Sequence, residues 1–400
     1  MTNTLTRQET TRWLYLALSV VLLMCLGLIY AWSVFRVPLE QDFGWAKAET
    51  SLTFSISMMM FCLGGVVSGI VTAKRGVATT LVACAVCLGA GFGGASQVHS
   101  LLGIYVTYGA LCGLGVGLGY NATISTAVKW FPDKTGLVSG ISLMGFGVGA
   151  MVLGTVAASL IESIGWRMTF GGIGLVFGIL MLVGALVLRP ASPAFIQHMT
   201  HGSSAKTQTV EDLSFHTMLR RRNFWLYFAW AALLSAAGLA VINISTAYAG
   251  EFVGHNLTEA AALAGIVSIA NGVGRVVFGQ LFDSKGYKVT MVVITTACFL
   301  AGSAFIAADM SRSLPVLVAA FVLIGLMYGG VTPTNSAFTA YFFGRTHYAL
   351  NFSITNLNLI IASYVGPLCA SGEPFFAFVL FLALAVAAFI LLCCIRRPSM

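Results

Sequence analysis

The sequence predicts an all-α polytopic membrane protein whose chain crosses the bilayer twelve times, in two related halves of six helices. Three observations predict it. Apolar residues make up 58% of the 400 and charged residues only 8%, against roughly 45–50% and 25% in soluble domains. Apolar runs long enough to span a bilayer recur along the whole chain. The second half repeats local patterns of the first at an offset of about 210 residues. Together these exclude a soluble single-core enzyme, a disordered chain and a nucleic-acid-binding domain. The formal net charge of +8 is dispersed in short clusters between apolar runs. It therefore signals topology and not a nucleic-acid partner.

A helix crosses ~30 Å of hydrocarbon with roughly 20 residues. Runs of that kind cover 13–35, 50–72, 78–96, 101–128, 136–160, 166–189, 223–249, 259–282, 288–308, 314–341, 346–370 and 374–395. None shows the alternation of a barrel strand. The first run is longer than the 7–15 residue core of a secretory signal, and no small-residue cleavage site follows, so it is expected to be a span. Basic residues punctuate the runs. Lys74-Arg75 follow the second, Lys129 and Lys134 the fourth, Arg189 the sixth, Arg220-Arg221-Arg222 precede the seventh, Lys285 and Lys288 follow the eighth, and Arg345 the tenth. With the N-terminus inside, sixteen Lys and Arg fall inside and four (Arg36, Lys47, Arg167, Arg312) outside. The positive-inside rule then places both termini in the cytoplasm. The nine cysteines all lie within apolar runs and are read as small helix residues. No cofactor or metal site is expected.

The longest polar stretch, Pro190 to Arg222, divides the chain six and six. The expected organisation is an N-terminal bundle over 1–189, a cytoplasmic linker over 190–222 with an amphipathic piece at Phe215–Leu219, and a C-terminal bundle over 223–400. Across the halves, the run from Gly69 to Gly76 matches that from Gly279 to Gly286. Trp130-Phe131 matches Tyr341-Phe342, and Gly27 matches Gly238.

This pattern resembles the major facilitator superfamily over nearly the whole chain. That resemblance implies two pseudo-symmetric six-helix bundles. In that family the loop after span two, and its copy after span eight, carry an acid that locks neighbouring helix ends. Asp283 and Lys285 keep that pattern, whereas the first copy has Ala73 at the acid's place. A closer resemblance begins at Trp130-Phe131-Pro132-Asp133-Lys134-Thr135-Gly136-Leu137 and continues through Gly140, Gly145 and Gly149. It is similar to the signature of the monocarboxylate-transporter and oxalate–formate-antiporter families. Gly145 and Gly149 form a small-residue face suited to close helix contact.

One formal charge lies deep in the hydrocarbon region: Arg275 in span eight. It stands eight residues before Asp283, about 12 Å along the helix. A mid-helix arginine costs about 2.5–3.5 kcal/mol on insertion scales. Two readings stand beside each other. The guanidinium is satisfied by helix-end carbonyls or by Asn271, one turn earlier; or it stands unpaired in a watery cavity as a fixed cation awaiting a mobile anion. The second is preferred, because no Asp, Glu or His lies within the spans except at their ends, as Glu259 and His347 do. A guanidinium matches a carboxylate with two parallel hydrogen bonds.

The resemblance implies an essential arginine in span eight, and Arg275 stands there. It also implies that oxalate carriers add a lysine in span eleven, where this chain has Leu359. One positive charge favours a monoanion over a dianion. Tyr30, Tyr120 and Tyr328 match positions at which the antiporter-like family has tyrosines around its anion, and Phe146 matches a family aromatic. Asn121 lies beside Tyr120 at central depth, and it and Asn356 are read as further substrate-binding residues. Asn356 stands where oxalate carriers have an aromatic. The expected protein is thus no enzyme. It is a carrier in the bacterial inner membrane that moves a small monocarboxylate such as lactate or pyruvate by alternating access through a central site between the bundles. Arg275 binds the carboxylate, and Asn271 and the tyrosines orient it. A coupled proton rides on the substrate's own carboxylate or on an edge acid: Glu251, Glu259 or Asp309. The alternative is an organic-anion exchanger of the oxalate–formate type. The remaining expected partner is membrane lipid.

Overall fold

The computed structural model describes residues 2–192, 194–196, 199, 212–253, 257–369 and 374–396, which are helical almost throughout, with no β-strand among them. Part of the expected linker (193, 197–198 and 200–211) lies outside the described residues. Helix α1 (Thr2–Gly27) passes through a 3₁₀ turn at Leu28–Ala31 into α2 (Trp32–Phe43). Next come α3 (Lys47–Ala95) and α4 (Leu101–Ile104), which widens into a π-helix at Tyr105–Cys112 before α5 (Gly113–Trp130). The long α6 (Thr135–Val187), the short α7 (Phe215–Arg220) and α8 (Arg222–Gly250) follow. The remainder is α9 (Leu257–Ser311), α10 (Leu314–Phe343), α11 (Tyr348–Thr355), α12 (Asn358–Cys369) and α13 (Pro374–Cys394). The amphipathic piece expected at Phe215–Leu219 is α7.

Eight helices among the described residues are long and apolar enough to cross a membrane. Much of their apolar surface faces outward, as at Val86, Leu102, Leu175, Leu186 and Ile390. In water that surface would be an aggregation liability; against lipid it is solvated. Three of the eight are too long for one crossing: α3 has 49 residues, α6 has 53 and α9 has 55. At 1.5 Å per residue each would extend about 70–80 Å.

Each of these three contains one glycine outside helical geometry: Gly76 (φ 85, ψ 169), Gly165 (φ 80, ψ 159) and Gly286 (φ 79, ψ 174). This is a region of backbone space that only glycine enters readily. Each corner is followed four residues later by a buried threonine whose hydroxyl donates back to the glycine carbonyl. The distances are 3.2 Å for Thr80 to Gly76, 2.8 Å for Thr169 to Gly165 and 3.0 Å for Thr290 to Gly286. At the first corner the Thr72 and Thr80 hydroxyls lie 2.9 Å apart. Eight residues of straight helix would hold them about 12 Å apart, so the chain folds back at Gly76. Each long helix therefore supplies two spans. The α11–α12 pair, broken into two shorter helices, supplies one more, and the twelve sequence windows are accounted for. Gly76 and Gly286 are the equivalent positions of the sequence repeat, now with the same backbone conformation.

The chain divides into two compact units. One comprises Met1–Asp133, Ser142–Thr207 and His347–Ile354; the other comprises Lys134–Ile141, Gln208–Thr346 and Thr355–Met400. In the first, α3 packs along α5 and α1 crosses α5. In the second, α9 lies along α10, and α8 contacts α12 and α13.

The corner glycines have a testable consequence. A Cβ on Gly286 would meet no atom within 4 Å, so Gly286→Ala introduces backbone strain without a clash. It should destabilise the purified protein by about 1–3 kcal/mol. The readout is thermal unfolding in detergent, with Gly265→Ala, a helical and equally uncrowded site, as the variant that loses nothing.

Candidate functional site

The second unit holds the charge. The apolar stretch of α9 runs from Leu263 to the corner at Gly286, and Arg275 stands midway between them, half-buried. Its Nε donates to Asn271 Oδ1 at 3.0 Å. The expectation that Arg275 stands unpaired is therefore corrected. Residues four apart share one helix face, and Asn271, buried on that face, takes one edge of the guanidinium. Asn271 is neutral, so this bond orients the group without itself neutralising it.

Tyr328 of α10 is brought to the same place by close backbone packing. Cβ atoms on Gly274, Gly325 and Gly329 would collide with the facing α9 or α10 backbone: Leu326 O, Val267 O and Asn271 O respectively. With glycine there, α9 and α10 touch along their main chains, which sets Tyr328 beside the turn of α9 that carries Asn271. The Tyr328 ring lies over Gly238 of α8, where a Cβ would stand 2.5 Å from it. Gly140, at the start of α6, closes on the Arg275 carbonyl in the same manner.

The first unit holds an aromatic cluster. Tyr30 belongs to the 3₁₀ turn after α1, and its ring meets Phe146 edge-on at 5.3 Å. Phe146 meets Tyr120 at 5.1 Å, and Tyr120 meets Phe61 at 5.1 Å. Phe352 of α11 stacks on Tyr120 at 6.3 Å. Phe146 and Tyr120 are buried, whereas Tyr30 is 42% exposed and forms the open side of the cluster. Such edge-to-face pairs fix ring orientation beyond simple burial. Phe146 sits so close to α1 because Gly27 leaves room for its backbone. In the same turn of α6 Gly145 packs on Val20, and one turn on Gly149 packs on Met24.

Asn121 neighbours Tyr120, and its Nδ2 donates to the carbonyls of Gly65 and Ala349, both at 2.8 Å. It ties α5 to α3 and α11. Asn356 occupies the break between α11 and α12. Its Oδ1 accepts from Asn335 Nδ2 at 3.0 Å, and Asn335 Oδ1 accepts from the Tyr227 hydroxyl at 2.7 Å. The structure thus brings Arg275, Asn271 and Tyr328 together in one unit and Tyr30, Tyr120 and Phe146 together in the other. It places Asn356 in a polar chain with Asn335 and Tyr227.

Asp283 sits one turn before the Gly286 corner. Its Oδ1 accepts from the Gly136 N–H and its Oδ2 from the Leu137 N–H, both at 2.8 Å. A carboxylate on the first free N–H groups of a helix is favourable through hydrogen bonding and through the helix dipole. Gly136 and Gly279 allow this approach, since a Cβ on either would strike the other's carbonyl. Arg345 Nη2 donates to Thr135 Oγ1 at 3.1 Å at the same helix end. Lys285 points into an exposed position.

The aromatic signature at the end of α5 is equally built. Trp130 Nε1 donates to the Arg189 carbonyl at 2.8 Å. Asp133 pairs with Arg12 at 3.1 Å, and the Arg12 guanidinium lies 4.8 Å over the Phe131 ring. The sequence marks neither Phe61 nor Phe352, and it marks Thr135 only as part of the Trp130–Leu137 signature. The first two come from other spans, and no local spacing marks them as partners of Tyr120. Thr135 could have been read as an N-cap residue, from its place directly before the apolar run of α6.

Apolar helices with matching glycine corners, an internal repeat and a cation at mid-span define an integral membrane transporter of the duplicated-bundle class. The chain belongs to the major facilitator superfamily, whose profile matches residues 17–367. It is 26% identical over 355 residues to the uncharacterized transporter YhjX of Escherichia coli, covering 89% of this chain and 86% of that one. It is 31% identical over 371 residues to the oxalate:formate antiporter of Oxalobacter formigenes, covering 88% and 83%. Monocarboxylate transporter 12 of Rattus norvegicus is 26% identical over 348 residues, covering 78% and 69%. Among solved structures, the fucose:proton symporter FucP in its outward conformation superposes with a TM-score of 0.73 at 15% identity, over 96% of this chain and 99% of that one. That likeness is one of fold.

A Cβ on Gly149 would overlap the Met24 carbonyl, whereas one on Gly172 of the same helix would meet nothing within 4 Å. Gly149→Ala should therefore reduce the fraction of monodisperse protein on size-exclusion chromatography. Gly172→Ala should leave it unchanged or raise it slightly through helix propensity.

Proposed function

We propose that this transporter moves a small monocarboxylate, lactate or pyruvate or a near relative, by alternating access, with Arg275 binding the carboxylate. The observation that carries the reading is a guanidinium held midway along a membrane-crossing helix, with Asn271 on its Nε edge. A group so costly to place in hydrocarbon (about 2.5–3.5 kcal/mol on insertion scales) is retained where its charge has a use. A carboxylate is the anion that a planar fork fits best. Tyr328 donates a further hydrogen bond, and Tyr30, Tyr120 and Phe146 present aromatic faces to the apolar carbons of the substrate. Asn121 and Asn356 hold the helices that carry these groups, through the bonds described above.

Leu359 argues for a monoanion. It stands where the family's oxalate carriers have a second cation, and a second carboxylate would be desolvated there without a partner. Relatives whose names record monocarboxylate transport support the same class. Asp283 and the glycine contacts at Gly145 and Gly149 serve the conformational change, with Lys285 at the membrane surface. The proposed setting is a bacterial inner membrane with both termini in the cytoplasm. The proposed halves are residues 1–189 and 223–400. Proton coupling runs through the substrate carboxylate itself or through Glu251, Glu259 or Asp309. Of these, Asp309 and Glu251 both pair with Arg312, at 3.6 and 3.4 Å.

A second reading is exchange of one organic anion for another, favoured by the 31% identity to an oxalate:formate antiporter. Uptake of labelled lactate into proteoliposomes separates the two. A symporter accelerates with an inward proton gradient and works into empty vesicles. An exchanger ignores the gradient and needs internal anion. In either case Arg275→Lys, which keeps the charge and removes the fork, should lower transport about ten- to a hundredfold. That is the weight of one lost charge-assisted hydrogen bond of about 1.5–3 kcal/mol. Wild-type transport by that variant would contradict two-point recognition.

A further inference from the structure

We propose that Asp212, where the linker re-enters the described chain, is a positioning residue. It holds Arg345 against the start of α6 and so ties the linker to the Asp283 contact. The Asp212 carboxylate is fully engaged by the turn between α10 and α11. Oδ1 accepts from the Arg345 N–H at 2.6 Å and from the Thr346 N–H at 3.1 Å. Oδ2 accepts from the Thr346 hydroxyl at 2.7 Å. The adjacent Leu213 N–H donates to the Phe343 carbonyl at 3.1 Å, and the Leu213 side chain is buried.

The turn is shaped to receive this carboxylate. Gly344 has φ 80 and ψ −174, a conformation open only to glycine. A Cβ there would also overlap Asp212 Oδ1. From this turn the Arg345 side chain reaches Thr135 Oγ1, one residue before the two N–H groups that Asp283 holds. The geometry is a relay of four members. Asp212 orders the turn, the turn aims Arg345, Arg345 engages Thr135, and Asp283 closes on Gly136 and Leu137. Arg345 donates to Thr135 from a turn whose backbone N–H groups are held by Asp212.

The effect on transport rests on the carrier reading; the effect on the helix start does not. Amide hydrogen exchange of the full-length protein in nanodiscs reads the relay directly, on fragments covering 135–138 and 344–347. With Asp212→Ala, exchange should speed at least tenfold at Arg345 and Thr346 and also at Gly136 and Leu137, and Asp212→Glu should restore part of the protection. Acceleration confined to 345 and 346 would overturn the proposal, because the carboxylate would then be a local turn clamp. Arg345→Gln keeps the two amides on Asp212 and cuts only the second link. It should accelerate 136 and 137 alone, and wild-type exchange there would likewise overturn the relay. In proteoliposomes, Asp212→Ala should lower kcat severalfold with KM unchanged. An unchanged kcat would remove the linker from the transport cycle and leave carboxylate recognition at Arg275 untouched.

Discussion

Hydrocarbon offers no hydrogen-bond partners, so every backbone N–H and C=O at membrane depth must be satisfied by the chain itself. The architecture follows from that constraint. Helices run on for 49 to 55 residues and turn only where glycine permits a non-helical residue and a threonine four positions on returns a hydroxyl to the glycine carbonyl. Where a span is interrupted, side chains stand in for the ladder. At the α11–α12 break, Leu359 and Ile360 N–H groups donate to carbonyls three residues back, and Asn358 Nδ2 caps the Thr355 carbonyl at 2.7 Å. No glycine or proline lies at that break; Asn356 and Asn358 stand there instead.

The same constraint explains how the functional groups are held. With no hydrophobic force between helices in lipid, close association comes from backbone approach at small residues. Gly274, Gly325 and Gly329 bring α9 onto α10 and carry Tyr328 to Arg275. Gly27 and Gly149 bring α1 onto α6 and set Phe146 against Tyr30. Gly136 and Gly279 let Asp283 reach the first N–H groups of α6. In each case a glycine with no chemistry of its own places a residue that has one.

Much of this was legible in the sequence. The twelve apolar windows, the repeat and the single deep arginine are matters of composition and spacing, which a sequence states directly. The corners were half legible: Gly76 and Gly286 appeared as repeat partners, and each is followed by a threonine at the fourth position, as is Gly165. Hydropathy could not show that these helices continue through the corners. The pairing of Arg275 with Asn271 follows from their spacing of four, yet depth in the membrane argued for an unpaired cation; side-chain geometry outweighed depth. Partners from distant spans were not legible. Phe61 and Phe352 reach Tyr120 only through tertiary packing, and Arg345 reaches Thr135 across 210 residues. Nor does an apolar window reveal that its ends group differently: residues Lys134–Ile141 and His347–Ile354 each cluster apart from the rest of their spans.

The central claim is that the deep guanidinium recognises a carboxylate, and equilibrium binding tests it without reference to coupling or flux. Titration calorimetry of the purified transporter with lactate and with its uncharged amide, on wild type and on Arg275→Ala, is the most direct measurement. The account predicts binding of lactate to wild type, none of the amide, and loss of lactate binding in the variant. Equal affinity for acid and amide, or lactate binding that survives removal of the guanidinium, would contradict it.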